Sequence, residues 1–167
     1  MKVPTFLKIL RNFCFALLFG FIFTLLGCNK QEPDRRKTSE AAIQPLTKHW
    51  ERPIPFQPPP EGLSSLSAEE CGECHVEIYR EWKTSFHAQA WHDPQFQAEW
   101  AKDDSLWVCI NCHTPLQNQQ VFTILGKKGG DYFQPVKEAN PYFDPTLQKE
   151  AITCAVCHVR NQTVIGP

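Results

Sequence analysis

The chain has 167 residues, 17 Lys and Arg against 18 Asp and Glu, and 42% hydrophobic residues, enough for one ordinary domain and little more. Lys2, Lys8 and Arg11 lie in a stretch, Met1 to Gly27, that contains no acid. Without that stretch 17 − 3 = 14 basic residues face 18 acidic ones, a net charge of −4. Such a body repels phosphates instead of displacing their counterions, which argues against nucleic acid as a partner.

Residues 1–27 read as an export signal. Three basic residues precede an uncharged apolar run, Phe13 to Gly27, that suits a signal sequence and is short of the ~20 residues of a membrane span. The run ends in Leu25-Leu26-Gly27-Cys28, which resembles the lipobox of bacterial lipoproteins, with Leu26 where a small residue is usual. That resemblance implies lipidation of Cys28 after cleavage, an exported body facing the periplasm, and a membrane as partner through the lipid anchor. An uncleaved anchor, or an ordinary signal with a chance cysteine, also leaves the rest of the chain exported.

Residues 28–66 read as a proline-rich tether. Prolines recur at 33, 45, 53, 55, 58, 59 and 60. They lack a backbone donor and favour polyproline II, so the expectation is a segment without regular packing that spans roughly 30 Å as loose coil. The alternative is that Trp50 to Phe56 wraps around the body.

Residues 67–167 carry the chemistry. Beyond Cys14 in the signal and Cys28, six cysteines form three frames: Cys71-Gly-Glu-Cys74-His75, Cys109-Ile-Asn-Cys112-His113 and Cys154-Ala-Val-Cys157-His158. C-x-x-C-H is the attachment pattern for c-type haem. Two thiols add to the two porphyrin vinyl groups, and the adjacent imidazole reaches the iron. The expected cofactor is therefore three covalently bound haem c groups, held by Cys71, Cys74, Cys109, Cys112, Cys154 and Cys157, with His75, His113 and His158 on the irons. Zinc needs four ligands and leaves an odd pair. Thioredoxin-like chemistry needs one C-x-x-C, not three. A disulfide framework suits an exported protein but gives no reason for a histidine after every pair.

Ser67-Ala-Glu-Glu70 fits a capping box that starts a helix near the first frame. His75, Tyr79, Trp82 and Phe86 then mark one helical face, either ordinary core or a surface for porphyrin. Asp93-Pro94 stops that helix and starts another, Gln95 to about Lys102, with Phe96 and Trp100 on one side. Gln120 to Leu125 reads as a strand with a turn at Gly126 to Gly130. Asp144-Pro145 repeats the helix start and leads into the third frame. The fold class is mainly α with much irregular loop, a small multihaem cytochrome c wrapped around its covalently bound haems.

Sixth ligands are scarce. The one methionine is Met1, so after cleavage no Met–His iron forms. His49, His87 and His92 are the imidazoles outside the frames, three for three irons. On a continuous helix His87 stands about 18 Å along the axis from His75 and roughly 120° around it, so the two cannot hold one iron, and His87 would serve a neighbouring haem. His92 is a ligand candidate of equal standing with a plain surface histidine. His49, in the proline-rich stretch, reads better as a surface residue.

The stretch CGECHVEIYREWKTSFHAQAW, with Tyr79, Trp82 and Ser85-Phe86-His87-Ala88, is similar to the cytochrome c-554-type multihaem family, as is ITCAVCHVR. The resemblance spans about Ser67 to Pro167. It implies closely placed haems, mostly bis-histidine irons with His87 as a distal ligand, and electron transfer in the periplasm. Members commonly carry a fourth C-x-x-C-H, absent from the nine residues after His158, so a shortened relative or an incomplete sequence is expected. The functional expectation is an electron relay between redox protein partners: a cytochrome, an oxidoreductase or a quinol-linked complex. The rival is a reductase of nitrogen oxides, hydroxylamine or peroxide at a five-coordinate haem. A third possibility is a docking subunit for a partner oxidoreductase.

Overall fold

The computed structural model describes residues 42–166. The signal, the lipobox with Cys28 and the first part of the tether lie outside the described residues.

Short helices dominate. In chain order they are α1 (Ala68–Gly72), α2 (Val76–Lys83), α3 (Phe86–Gln89), α4 (Pro94–Lys102), α5 (Trp107–His113), α6 (Pro145–Lys149) and α7 (Cys154–His158), with a 3-10 turn at Gln117–Gln119. Local chemistry starts most of them. The Ser67 hydroxyl accepts from the Glu69 amide. Asp93 accepts from the Phe96 amide at 2.7 Å ahead of Pro94, and Asp144 accepts from the Thr146 and Leu147 amides ahead of Pro145. Each side chain satisfies amides that a helix start leaves unpaired. The expected capping box is only half formed: Glu70 turns outward and accepts from the amide and hydroxyl of Ser64.

The helix after the first frame is not continuous. It ends at Lys83, Thr84 caps it, and Ser85 starts α3 by accepting from the Ala88 amide. Ser85 competes for the backbone as an N-cap, which breaks the rod. The expected 18 Å and 120° between His75 and His87 therefore do not describe this chain.

Two small antiparallel sheets complete the fold. In one, β1 (Ile43–Gln44) and β3 (Pro135–Ala139) flank β2 (Phe122–Lys128); in the other, β4 (Val159–Arg160) pairs with β5 (Thr163–Val164). The strand expected to end at Leu125 runs on to Lys128, through a register shift between Ile124 and Gly126. Gly126 belongs to the strand rather than the turn, because β1 crosses it closely: a Cβ there would stand 2.7 Å from the Gln44 carbonyl oxygen. The turn lies at Gly129 and Gly130, both at positive φ.

Residues 42–66 differ from the expected free tether. Ile54 forms a parallel bridge with Leu116, its amide donating to the Pro115 carbonyl and its carbonyl accepting from Gln117. Gln57 and Asn118 exchange backbone-to-amide hydrogen bonds at 3.0 and 2.9 Å. Proline denies the segment a ladder of its own, but side-chain amides of the body supply partners instead. We call residues 42–66 the strap. The apolar core is small: Leu66, Leu116, Leu147, Ala155, Val156 and Val159, with Ile54 and Ile152 against it. Around it runs a buried amide network. Gln119 donates to the carbonyls of Leu147 and Ala151, Gln120 donates to Asn111, and Asn140 donates to the carbonyls of Gln117 and Gln120. Among the described residues no buried side-chain polar atom lacks a partner, as such a network requires.

Candidate haem-attachment sites

Each C-x-x-C-H lies at a short helical turn, and the three share one polarity. The leading cysteines, Cys71, Cys109 and Cys154, are half-buried; the trailing ones, Cys74, Cys112 and Cys157, are exposed. Residues between them face inward: Gly72, Asn111, Ala155 and Val156 are buried. Gly72 is tight, since a Cβ there would meet the Tyr79 ring at 2.6 Å. Each frame thus buries at least one middle residue, with Glu73 exposed and Ile110 half-buried, and exposes its trailing thiol; His75 and His158 are exposed and His113 is half-buried.

The imidazoles carry a further sign. His113 Nδ1 is 2.6 Å from the Ala90 carbonyl oxygen, and His158 Nδ1 is 3.3 Å from that of Ile165. A carbonyl only accepts, so Nδ1 holds the proton and Nε2 keeps its lone pair. That is the arrangement in which a histidine binds a metal: one ring nitrogen on the metal, the other held by an outer partner.

The leading cysteines of the first and third frames touch. The interaction of the two thiols draws Cys71 down to about 7, and the same interaction, then burial, pushes Cys154 up. Burial and the Asp103 carboxylate raise Cys109.

The other predicted ligands fall as follows. His87 is exposed on α3, where its carbonyl accepts from the Ile152 amide at 3.2 Å, just ahead of the third frame. The same short turn presents the Ala90 carbonyl to His113. His92 is exposed, with Nε2 3.0 Å from the Lys149 carbonyl; its Nε2 is therefore the protonated nitrogen. His49 is exposed in the turn capped by the Arg52 amide. The stripe of Tyr79, Trp82 and Phe86 is not core. Tyr79 and Trp82 stack with centroids 5.8 Å apart, Trp82 Nε1 donates to the Ile152 carbonyl, and Phe86 is 93% exposed.

Sequence reasoning missed one cluster beside the second frame. Glu51 is buried, ion-paired with Lys127 at 2.5 Å, bonded by the Tyr132 hydroxyl and by the Thr47 amide at 2.7 Å. Tyr132 stacks on Trp107, the first residue of α5, and Asn111 donates to the Trp50 carbonyl. The strap is thereby fixed to the helix that carries Cys109 and His113. Nothing local marks Glu51; its partners are far off in sequence.

The donor set fits haem c. All six thiols lack disulfide partners, the His113 and His158 imidazoles are left free at Nε2, and large apolar side chains lie exposed around the first frame. Among the described residues no three His, Cys, Asp or Glu side chains converge as a metal cage, so the thiol pairs are not gathered as a tetrahedral site would need. The site and the helical fold define a c-type cytochrome. Residues 70–159, more than half the chain and all three frames, match the family model described as cytochrome c554 and c-prime, and the chain belongs to that family. No curated protein and no solved structure matches it. The chain is a c-type electron carrier with covalently bound haem c.

Proposed function

We propose that the protein is a trihaem relay, tethered by lipid at Cys28 to a membrane and facing the periplasm, that passes electrons between redox protein partners. The observation that supports it best is the shared polarity of the three frames, each with a half-buried leading thiol and an exposed trailing one. When bound, haem supplies the one-electron chemistry. The chain attaches it, orients His113 and His158 through backbone carbonyls, and brings the first and third attachment points together. Such proximity suits electron passage without a substrate pocket. His87 is the favoured sixth ligand in this reading, giving a bis-histidine iron. The test of the relay is a spectroelectrochemical titration: three one-electron haem transitions with low-spin spectra support it. A mass spectrum of the mature N-terminal peptide tests the anchor, and an unmodified Cys28 thiol would sink that part.

One observation favours a second reading. His92 commits Nε2 to the Lys149 carbonyl, which leaves His87 and His49 as the imidazoles available for three sixth positions. An iron left open would bind small molecules such as nitrogen oxides, hydroxylamine or peroxide, and the protein would reduce them. A high-spin band in the oxidised protein distinguishes this reading from the relay.

A further inference from the structure

Helix α4 carries no buried residue, yet it bears an ordered aromatic column. The Phe96 ring lies face to face on the His113 imidazole, with centroids 3.5 Å apart and planes 9° apart. Trp100 stacks behind Phe96 at 5.9 Å and 15°, and Trp91 meets Trp100 edge-on at 5.2 Å. The column is fastened at both ends. Asp93 holds the Phe96 amide at 2.7 Å, and Trp100 Nε1 donates to the Leu106 carbonyl at 3.1 Å, immediately before α5.

Burial does not explain this order, but His113 does. The terminal torsion of a histidine is broad, so the ring plane swings unless something holds it. The bond from Nδ1 to the Ala90 carbonyl limits where that nitrogen goes. A flat ring pressed against the imidazole face limits tilt out of the plane. The two constraints act in different directions, and together they leave one orientation.

We propose that Phe96, backed by Trp100, is a positioning residue that sets the plane of the His113 imidazole as an axial ligand, and through it the electronic character of the haem held by Cys109 and Cys112. This rests on the reading of His113 as that haem's ligand. Orientation and outer hydrogen bonding of an axial ligand are among the protein's main levers on a haem.

The test uses the full mature protein with Phe96→Leu, Phe96→Tyr and the wild type. Leucine keeps apolar bulk without a flat face; tyrosine keeps the ring. The expected result is an unchanged haem count in both variants. In Phe96→Leu the paramagnetic resonance signal of one haem broadens or changes its g-values, and one midpoint potential of the set moves. Phe96→Tyr restores both. A Phe96→Leu protein with wild-type resonance and potentials overturns the proposal. In case that variant folds poorly, the wild type is also examined with labelled phenylalanine. One ring must show a large paramagnetic shift that depends on oxidation state, and its absence overturns the proposal too. Peptide mass at Cys109–Cys112 separates the levels: no haem there in the wild type overturns the haem assignment itself, and the proposal with it.

Discussion

Cys71 and Cys154, the leading cysteines of the first and third C-x-x-C-H frames, are close enough to shift each other's titration, one down and the other up, and Thr153 beside one bonds the Leu66 carbonyl near the other. Haems attached at both frames would be held through neighbouring sulfurs. The oxidised protein is expected to show magnetic interaction between two of its irons. Cys154→Ser with Cys157→Ser removes one haem and leaves the signal of the first frame's iron uncoupled. An uncoupled signal already present in the wild type would argue against close approach of these two groups.

Acid should loosen the strap at Glu51. Hydrogen bonding from Lys127, then from Tyr132 and the Thr47 amide, outweighs burial and lowers this carboxyl from 4.5 to about 2. The unfolded chain therefore binds the proton first as pH falls. The stabilisation is complete above about 4.5 and is lost as pH drops through about 2. Glu51→Gln is expected to be less stable than wild type at neutral pH and to show a flatter loss between those limits, measured as melting temperature against pH.

The parts of this fold that were legible are those set by neighbours in sequence. Asp93-Pro94 and Asp144-Pro145 start helices because the capping side chain and the proline act within one turn. The C-x-x-C-H spacing is a local constraint of the same kind. What could not be read depends on distant partners. The Ile54–Leu116 bridge and the Gln57–Asn118 exchange join segments far apart in sequence; proline content favoured a free coil over the alternative that Trp50 to Phe56 wraps around the body, and the Ile54 bridge follows the alternative. Gly126 looks like a turn residue until β1 is seen to cross it. The break at Thr84–Ser85 did have a local signal, a serine three residues before a helical amide it can cap, but the longer aromatic periodicity masked it.

Removing the strap should separate attachment from stability. A chain beginning at Ser64 behind a plain export signal is expected to keep its haems, since covalent attachment needs the cysteines. Its melting temperature should fall, because Leu116 loses Ile54 and Lys127 loses Glu51. For comparison, Leu116→Ala in the full chain is expected to cost about 2–5 kcal/mol, as for a fully buried leucine. Unchanged thermal unfolding without residues 42–63 would contradict the packing role given to the strap.

His87→Ala is expected to keep every haem and to convert one iron to high spin. The turn that carries His87 also presents the Ala90 carbonyl to the proton-bearing nitrogen of His113, so it would lie on the His113 side of a haem held at Cys109 and Cys112 and would be poorly placed to cap its opposite face. Its backbone bond to Ile152 points to the third frame's haem. The spin change should therefore persist when Cys109 and Cys112 are both replaced by serine. A low-spin spectrum unaltered by His87→Ala would remove His87 as a ligand.

All three frames are expected to hold haem, and peptide-resolved mass spectrometry of the mature protein measures this. The expected result is one haem mass on each of the peptides containing Cys71–Cys74, Cys109–Cys112 and Cys154–Cys157, with no free thiol among the six. Any of the three peptides found with free thiols or a disulfide, in protein produced with an active haem-attachment system, would contradict it.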